Sequence, residues 1–281
     1  MLYFLILVSI MLYLKNMAEF KKQYNPNRGA DWNYGGRNWK LSRSKIELFT
    51  ECPRCFYLDN KLGTVRPRGP AFTINIAIDE LFKKEFDAYR KEGEPHPIML
   101  ENKLEAVPLQ HEKIDEWRDN FVGLTYTDKE TGFVVSGAVD DIWVKADGEL
   151  IVVDYKATAK ESKIESLSDS GWEMSYKRQM GVYQWLLRKN GFTVSSIGYF
   201  VYANARKDLA ESFDDTLFFE TTLVPCEGET EWIDETLLKI KAALEAKEIP
   251  PSGESCEFCP YREACGKKLI AIHNANRIQK K

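Results

Sequence analysis

Asp154 and Lys156 end an apolar run, GELIVVDYKAT at residues 148–158, whose Leu150, Ile151, Val152 and Val153 read as a buried strand. Side chains alternate along a strand, so Asp154 and Lys156 share one face while Tyr155 takes the other. The preceding run, GFVVSGAVDDIWVKAD, brings a second acid, and the turn between the runs decides which one. A three-residue loop at 146–148, with its glycine left-handed, sets Asp140 opposite Asp154; a two-residue loop at 147–148 sets Asp141 there instead. Two carboxylates that close stay ionised together only if a cation neutralises them. Hard oxygen ligands in small number select Mg²⁺ or Mn²⁺. Such an ion beside a lysine suits phosphodiester hydrolysis, the ion stabilising charge on the phosphoryl group and the ammonium orienting the attacking water or stabilising the transition state. The plain alternative is a surface salt bridge between Asp154 and Lys156, contributing under about 1 kcal/mol.

A second constellation is sulfur-rich. The C-terminal region reads CEFCPYREACG, with Cys256, Cys259 and Cys265, and far upstream TECPRCFYL supplies Cys52 and Cys55. Clustered thiols in a chain without a convincing secretion signal indicate a reducing, cytoplasmic compartment and metal rather than disulfides. Four thiolates hold either tetrahedral zinc or an iron–sulfur cluster. Zinc pairs the two C-x-x-C units, Cys52, Cys55, Cys256 and Cys259, and leaves Cys265 idle; a cluster takes one upstream cysteine and all three downstream. Either would staple the two ends of the domain together. Cys226 reads as a small buried hydrophobe, and His96, His111 and His273 as solvated side chains.

Helices and strands must position these groups. LSRSKIELFTECPRCFYLDNKLG reads as one capped helix, and PAFTINIAIDELFKKEFDAYRKEG as a second with Ile74, Ile78, Leu81, Phe82 and Phe86 in one stripe. After a short helix near residues 114–121 come three β runs, FVGLTYTD, GFVVSGAVDDIWVKAD and GELIVVDYKAT, joined as an antiparallel meander. A helix over residues 172–189, two strands, TVSSIGYFVYANA and DTLFFETTLVP, and a helix over residues 231–247 follow. The order implies one α/β domain with a mixed sheet covered by helices.

GAVDDIW followed by ELIVVDYKAT resembles the G-x-x-D and D-x-K signatures of the PD-(D/E)XK nuclease superfamily, in its RecB-like branch, which has a restriction-endonuclease-like fold. The resemblance places the first acid three residues after Gly137, at Asp140, and so favours the three-residue loop, with Asp141 an outer neighbour. YKRQMGVYQWLL is similar to the branch's Q-x-x-x-Y motif, implying that Gln179 and Tyr183, on one helical face, touch DNA or support the lysine. Where the branch places a metal-binding histidine, this chain has Asp79. The resemblance thus implies Asp140, Asp154, Asp79 and the Ala157 carbonyl as metal ligands and Lys156 as the catalytic lysine. It extends to iron–sulfur nucleases, including CRISPR-associated exonucleases and AddB-type recombination nucleases, which implies a [4Fe-4S] cluster on Cys52, Cys256, Cys259 and Cys265, with Cys55 spare and structural Zn²⁺ the alternative.

The resemblance covers residues 41–268, flanked by an N-terminal segment (1–40) and a tail (269–281). The apolar run at residues 2–14 is too short for a bilayer, which needs roughly 20 residues; residues 1–16 read as an upstream start extension, with a short membrane anchor as the alternative. A net charge of -4 and a pI near 5.6 argue against non-specific coating of nucleic acid. Residues 17–45 nevertheless carry seven cations against two acids, interleaved with Tyr24, Trp32, Tyr34 and Trp39, which suits phosphate contact and base stacking; the alternative is an arm that packs its rings on the domain. The expected function is a DNA exonuclease working on single-stranded ends in repair, recombination or CRISPR adaptation. No GxxxxGK[ST] motif is present, so unwinding needs a helicase partner. The rival reading is a metal-stapled nucleic-acid-binding protein without turnover.

Overall fold

The computed structural model describes residues 27–279 apart from residues 68 and 210. The expectations for residues 1–16 and for the first part of the basic arm lie outside the described residues. The helices are α1 (Arg43–Glu51), α2 (Pro53–Asn60), α3 (Thr73–Glu92), α4 (Pro97–Glu101), α5 (Ile114–Arg118), α6 (Gly171–Lys189), α7 (Glu231–Glu245) and α8 (Phe258–Gln279). The strands are β1 (Leu41–Ser42), β2 (Ala106–Pro108), β3 (Leu124–Thr127), β4 (Val134–Gly137), β5 (Asp141–Lys145), β6 (Leu150–Thr158), β7 (Ile197–Ala205) and β8 (Phe219–Glu227).

A five-stranded sheet, ordered β2-β5-β6-β7-β8, forms the centre, and a three-stranded sheet, β1-β4-β3, lies beside it. The central sheet is mixed: β5 and β6 run antiparallel, β6 and β7 parallel, β7 and β8 antiparallel. Alternation along β6 divides its side chains between two cores. Leu150 and Val152 join Ile142 and Phe200 against α6 and α7, through Met180, Leu186 and Leu237. Ile151, Val153 and Tyr155 join Trp143 against Phe82 and Phe86 of α3 and Met99 of α4. The result is the expected α/β architecture, a mixed sheet between helical layers.

Three elements differ from the sequence reading, each for a local reason. The single helix expected across residues 41–63 is two, broken at Cys52, whose backbone is extended (φ -159°, ψ 100°). Pro53 disfavours helical geometry in the residue before it, yet its fixed φ suits the first turn of the next helix. The run GFVVSGAVDDIWVKAD splits into β4 and β5, which belong to different sheets, so the three β runs are two antiparallel pairs and not one continuous meander. The apolar stripe of α3 is buried only in its second half: Phe82 and Phe86 are covered, whereas Ile74 and Leu81 are exposed. At the other end α8 passes residue 268 without interruption. No helix among the described residues is long and apolar enough to cross a membrane.

Part of the basic arm is visible, and two of its rings pack on the domain. Tyr34 and Trp39 meet Phe133 edge to face, and Trp39 Nε1 donates to Asn60 Oδ1 at 3.0 Å. Arg28 pairs with Asp59 at 2.5 Å. Trp32 remains exposed.

Candidate functional site

The turn between β5 and β6 sets the register of the acids. Gly148 takes φ +86°, the Lys145 amide donates to the Glu149 carbonyl and the Gly148 amide to the Lys145 carbonyl, leaving residues 146–148 as a three-residue loop. Asp141 pairs with Val153 and Ile142 with Val152, so Asp140 falls opposite Asp154. Asp140 Oδ2 accepts from the Tyr155 amide at 3.0 Å, tying the end of β5 to β6. Asp141 points into the other core, fully buried. There it pairs with Arg90 and accepts from the Tyr155 hydroxyl at 2.8 Å. Burial, reinforced by the Asp141 charge, raises the Tyr155 phenol well above its ordinary pKa. Adjacent aspartates thus have separate tasks, one facing the site and one neutralising an arginine inside the fold.

Asp154 is almost fully buried and is held from two directions. Lys156 Nζ pairs with one carboxylate oxygen, and Gln179 Nε2 donates to the other at 2.6 Å. Gln179 also donates to the Tyr183 hydroxyl at 3.1 Å, which additionally meets Arg43. Burial raises the Tyr183 phenol above its usual value. The Lys156 ammonium lies over the rings of Tyr176 and Phe200, at 4.6 and 5.6 Å, and burial pushes its pKa down to about 8. Gly137, three residues before Asp140, ends β4 directly under α6. A Cβ there would stand 2.8 Å from Tyr183 Cε1 and 3.0 Å from Leu186 Cδ1, so the absence of a side chain lets the helix carrying Gln179 and Tyr183 approach the acids.

Helix α3 supplies the opposite wall. Asn75, Asp79 and Lys83, four residues apart, form one polar line. Asn75 Nδ2 donates to the Ala157 carbonyl at 3.0 Å, and Lys83 Nζ lies 2.7 Å from Asp79 and 3.9 Å from Asp140. Burial, and then the Asp140 charge, raise the Asp79 pKa. Beside these groups a cleft of about 120 Å³ is lined by Arg43, Ser136, Gly137, Tyr183 and the exposed Phe121. The structure therefore brings Asp79, Asp140, Asp154, Lys156, the Ala157 carbonyl, Gln179 and Tyr183 to one place. The three carboxylates and the Ala157 carbonyl are hard oxygen donors, and Asp79 and Asp140 share Lys83, so the residues fit a small divalent cation. Sequence reasoning missed Lys83 and Asn75, whose spacing about Asp79 was the available signal; Arg43 was marked only as one of the seven cations of residues 17–45.

The cysteines assemble at the far end. Among the described residues, the group of three or more His, Cys, Asp or Glu whose ligand atoms all lie within 4.8 Å of one another is Cys52, Cys55, Cys256 and Cys259. Cys55, expected to be spare, is a full member. Cys265, expected as the fourth ligand, is outside the group and pairs with the Tyr261 hydroxyl one helical turn back. It lies six positions after Cys259 along the helix, which turns it roughly 120° away from the cluster. Cys226 is buried, as expected. Two histidines differ from the solvated reading. His96 caps α4, contacts Glu85 at 2.8 Å and stacks on Phe86, while His111 stacks on Trp117.

A solved structure described as "Crystal structure of SSO0001" is similar at 14% sequence identity and a TM-score of 0.31, covering 87% of this chain and 89% of that one. No curated protein matches the chain. The family model of the PD-(D/E)XK nuclease superfamily matches residues 40–266, which contain every group of the acid–lysine site and both cysteine pairs. The chain belongs to the PD-(D/E)XK nuclease superfamily.

Proposed function

We propose that the chain is a Mg²⁺- or Mn²⁺-dependent deoxyribonuclease that trims single-stranded DNA ends. The observation that carries this reading is the convergence of Asp140, Asp154 and Lys156 at one strand edge, facing Asp79 from α3 and Gln179 from α6. Asp79, Asp140, Asp154 and the Ala157 carbonyl would hold the divalent ion, which supplies charge stabilisation to the phosphoryl group when bound. Lys156 is desolvated and close enough to deprotonation to orient the attacking water or to donate to developing charge. Gln179 fixes the Asp154 carboxylate, and Tyr183 in turn fixes Gln179. Lys83 holds Asp79 and Asp140 apart from mutual repulsion before an ion arrives.

Access favours an unpaired strand. The narrow cleft at Arg43 and Tyr183 has Phe121 at its rim, 91% exposed, a ring on which a base can stack. A role on DNA ends in repair, recombination or CRISPR adaptation, with a separate helicase opening duplexes, follows from the resemblance and belongs to the same proposal. So does a cytoplasmic setting, supported by six cysteines free of disulfides.

The test is incubation of the full chain with single-stranded DNA and Mn²⁺ beside a Lys156→Ala variant. Cleavage by the wild type that the variant lacks is expected. Equal absence of cleavage in both, with DNA binding retained, would establish a binding protein instead.

A further inference from the structure

The iron–sulfur set that the resemblance implies, Cys52, Cys256, Cys259 and Cys265, is not the set that the fold gathers, and the spacing of the gathered set is that of a single ion. Cys52 Sγ lies 3.7 Å from Cys259 Sγ, and Cys55 Sγ lies 3.6 Å from Cys256 and 3.5 Å from Cys259. Four thiolates about 2.3 Å from one zinc ion occupy a tetrahedron with edges of about 3.8 Å. A four-iron cluster binds each thiolate to a different iron and spreads them further apart.

Local backbone explains why these four meet. Cys52 is the extended residue before Pro53 and Cys55 lies on the first turn of α2, so one C-x-x-C straddles a helix start. Cys256 and Cys259 straddle the start of α8 in the same way. The two hooks are about 200 residues apart in sequence and close on each other. Amides of Cys55 and Gly253 reach Cys52 Sγ at 3.4 and 3.2 Å. Four thiolates around a dication leave two negative charges, and two guanidinium groups are at hand. Arg262 reaches Cys55 at 2.8 Å and Cys259 at 3.9 Å, and Arg66 lies 3.7 Å from Cys256. Cys52, Cys55 and Cys259 are buried and Cys256 is half-buried, and four protein thiolates fill the coordination of a tetrahedral ion, leaving no position for a substrate.

We propose that Cys52, Cys55, Cys256 and Cys259 bind one structural Zn²⁺ that clasps α2 to α8, and that Cys265 is not a ligand. Soft sulfur donors also keep this site from competing with the all-oxygen site for Mg²⁺ or Mn²⁺. The proposal stands independently of the nuclease reading, because its test needs neither DNA nor turnover.

The full chain is purified anaerobically from cells supplied with both iron and zinc, and its metals and inorganic sulfide are quantified for the wild type, Cys55→Ser, Cys259→Ser and Cys265→Ser. About one zinc per chain is expected in the wild type and in Cys265→Ser, with loss in the other two variants. Replacement by Co²⁺ is expected to give the visible bands of tetrahedral thiolate coordination in the wild type and Cys265→Ser alike. Iron and sulfide in the wild type, lost in Cys265→Ser, would overturn the assignment, as would a wild type with no metal. Cys265→Ser decides the question even if the other variants fail to fold, since its side chain is outside the cluster.

Discussion

The acid–lysine pocket and the cysteine clasp are both polar clusters built from distant segments, and they differ in how finished they are. The four sulfurs lie within 4.8 Å of one another, and three of the four residues are fully covered. The acids meet no such criterion among the described residues; each carboxylate is engaged by a protein cation or donor instead, Asp154 by Lys156 and Gln179, Asp79 by Lys83. Lys83 and Asp140 each keep about a quarter of their side chain exposed. A closed set of soft donors suits an ion that enters once, during folding. An open set of hard donors with resident lysines suits an ion that arrives with a phosphate and displaces weak contacts.

The sharpest way to break this comparison is to disable the pocket without touching the fold. Lys156→Ala is expected to reduce cleavage by about 10²–10³-fold, the usual cost of losing one group that stabilises developing charge. With Mn²⁺ present its melting temperature should change little, because the ion can take the place of the ammonium beside the buried Asp154, which would otherwise be left an unpaired buried charge. Single-turnover cleavage and thermal melting, measured on the same sample, separate the two effects. A variant that melts well below the wild type while retaining cleavage would mean that Lys156 is structural.

The clasp is expected to show the reverse. Cys259→Ser should lower the melting temperature by on the order of 10 °C, since losing a structural metal belongs among the large single-site effects. Chelators divide the regions further. A mild chelator should abolish cleavage with no shift in melting, whereas one strong enough to compete with four thiolates should also lower the melting temperature. If mild chelation moved both, the two ions would not be independent.

These two regions were unequally legible in the sequence. The acid pair and the lysine stood out because strand alternation is a short-range rule, whereas the α6 glutamine and tyrosine came from the resemblance to the Q-x-x-x-Y motif. Even so, register alone left Asp140 and Asp141 open until a resemblance favoured Asp140. The sulfurs that the fold gathers differ from the expected set because their meeting depends on where a helix begins. Pro53 breaks the first helix and thereby points Cys52 and Cys55 the same way, whereas α8 continues past Cys265 and turns it aside. The split of one β run into β4 and β5 was equally hidden. Gly137 read as a motif residue, and its reason, the approach of Tyr183, is a contact across about 45 residues.

That approach sharpens the comparison at intermediate size. Gly137→Ala places a methyl against Tyr183 and Leu186, and overpacking of this kind costs about 1–3 kcal/mol. Because the pressure falls on the helix carrying Gln179 and Tyr183, cleavage should fall together with stability, while zinc content stays at the wild-type level. Metal analysis beside melting and cleavage checks this. A destabilised variant with unchanged cleavage would detach α6 from the acid site.

The smallest expected effect lies between the two regions, in the segment that leads from β6 to α6. Glu173 on the first turn of α6 meets Lys160 at 2.5 Å and accepts from the Ser168 amide at 2.7 Å. Lys160, then the Ser168 amide, hold its pKa down to about 2 against an ordinary 4.5. A carboxylate whose folded pKa is depressed stabilises the fold at pH values above 4.5 and loses that contribution as the pH falls from about 4.5 to about 2. Glu173→Gln removes the contribution at every pH. The gap in melting temperature between wild type and variant is therefore expected to be constant near neutrality and to shrink to nothing near pH 2. With Lys160 partly in solvent, the gap at neutral pH should reflect about 1 kcal/mol or less. A gap that persists unchanged at pH 2 would mean that Glu173 acts through packing, and the segment joining β6 to α6 would then owe its order to Trp172 and its neighbours rather than to charge.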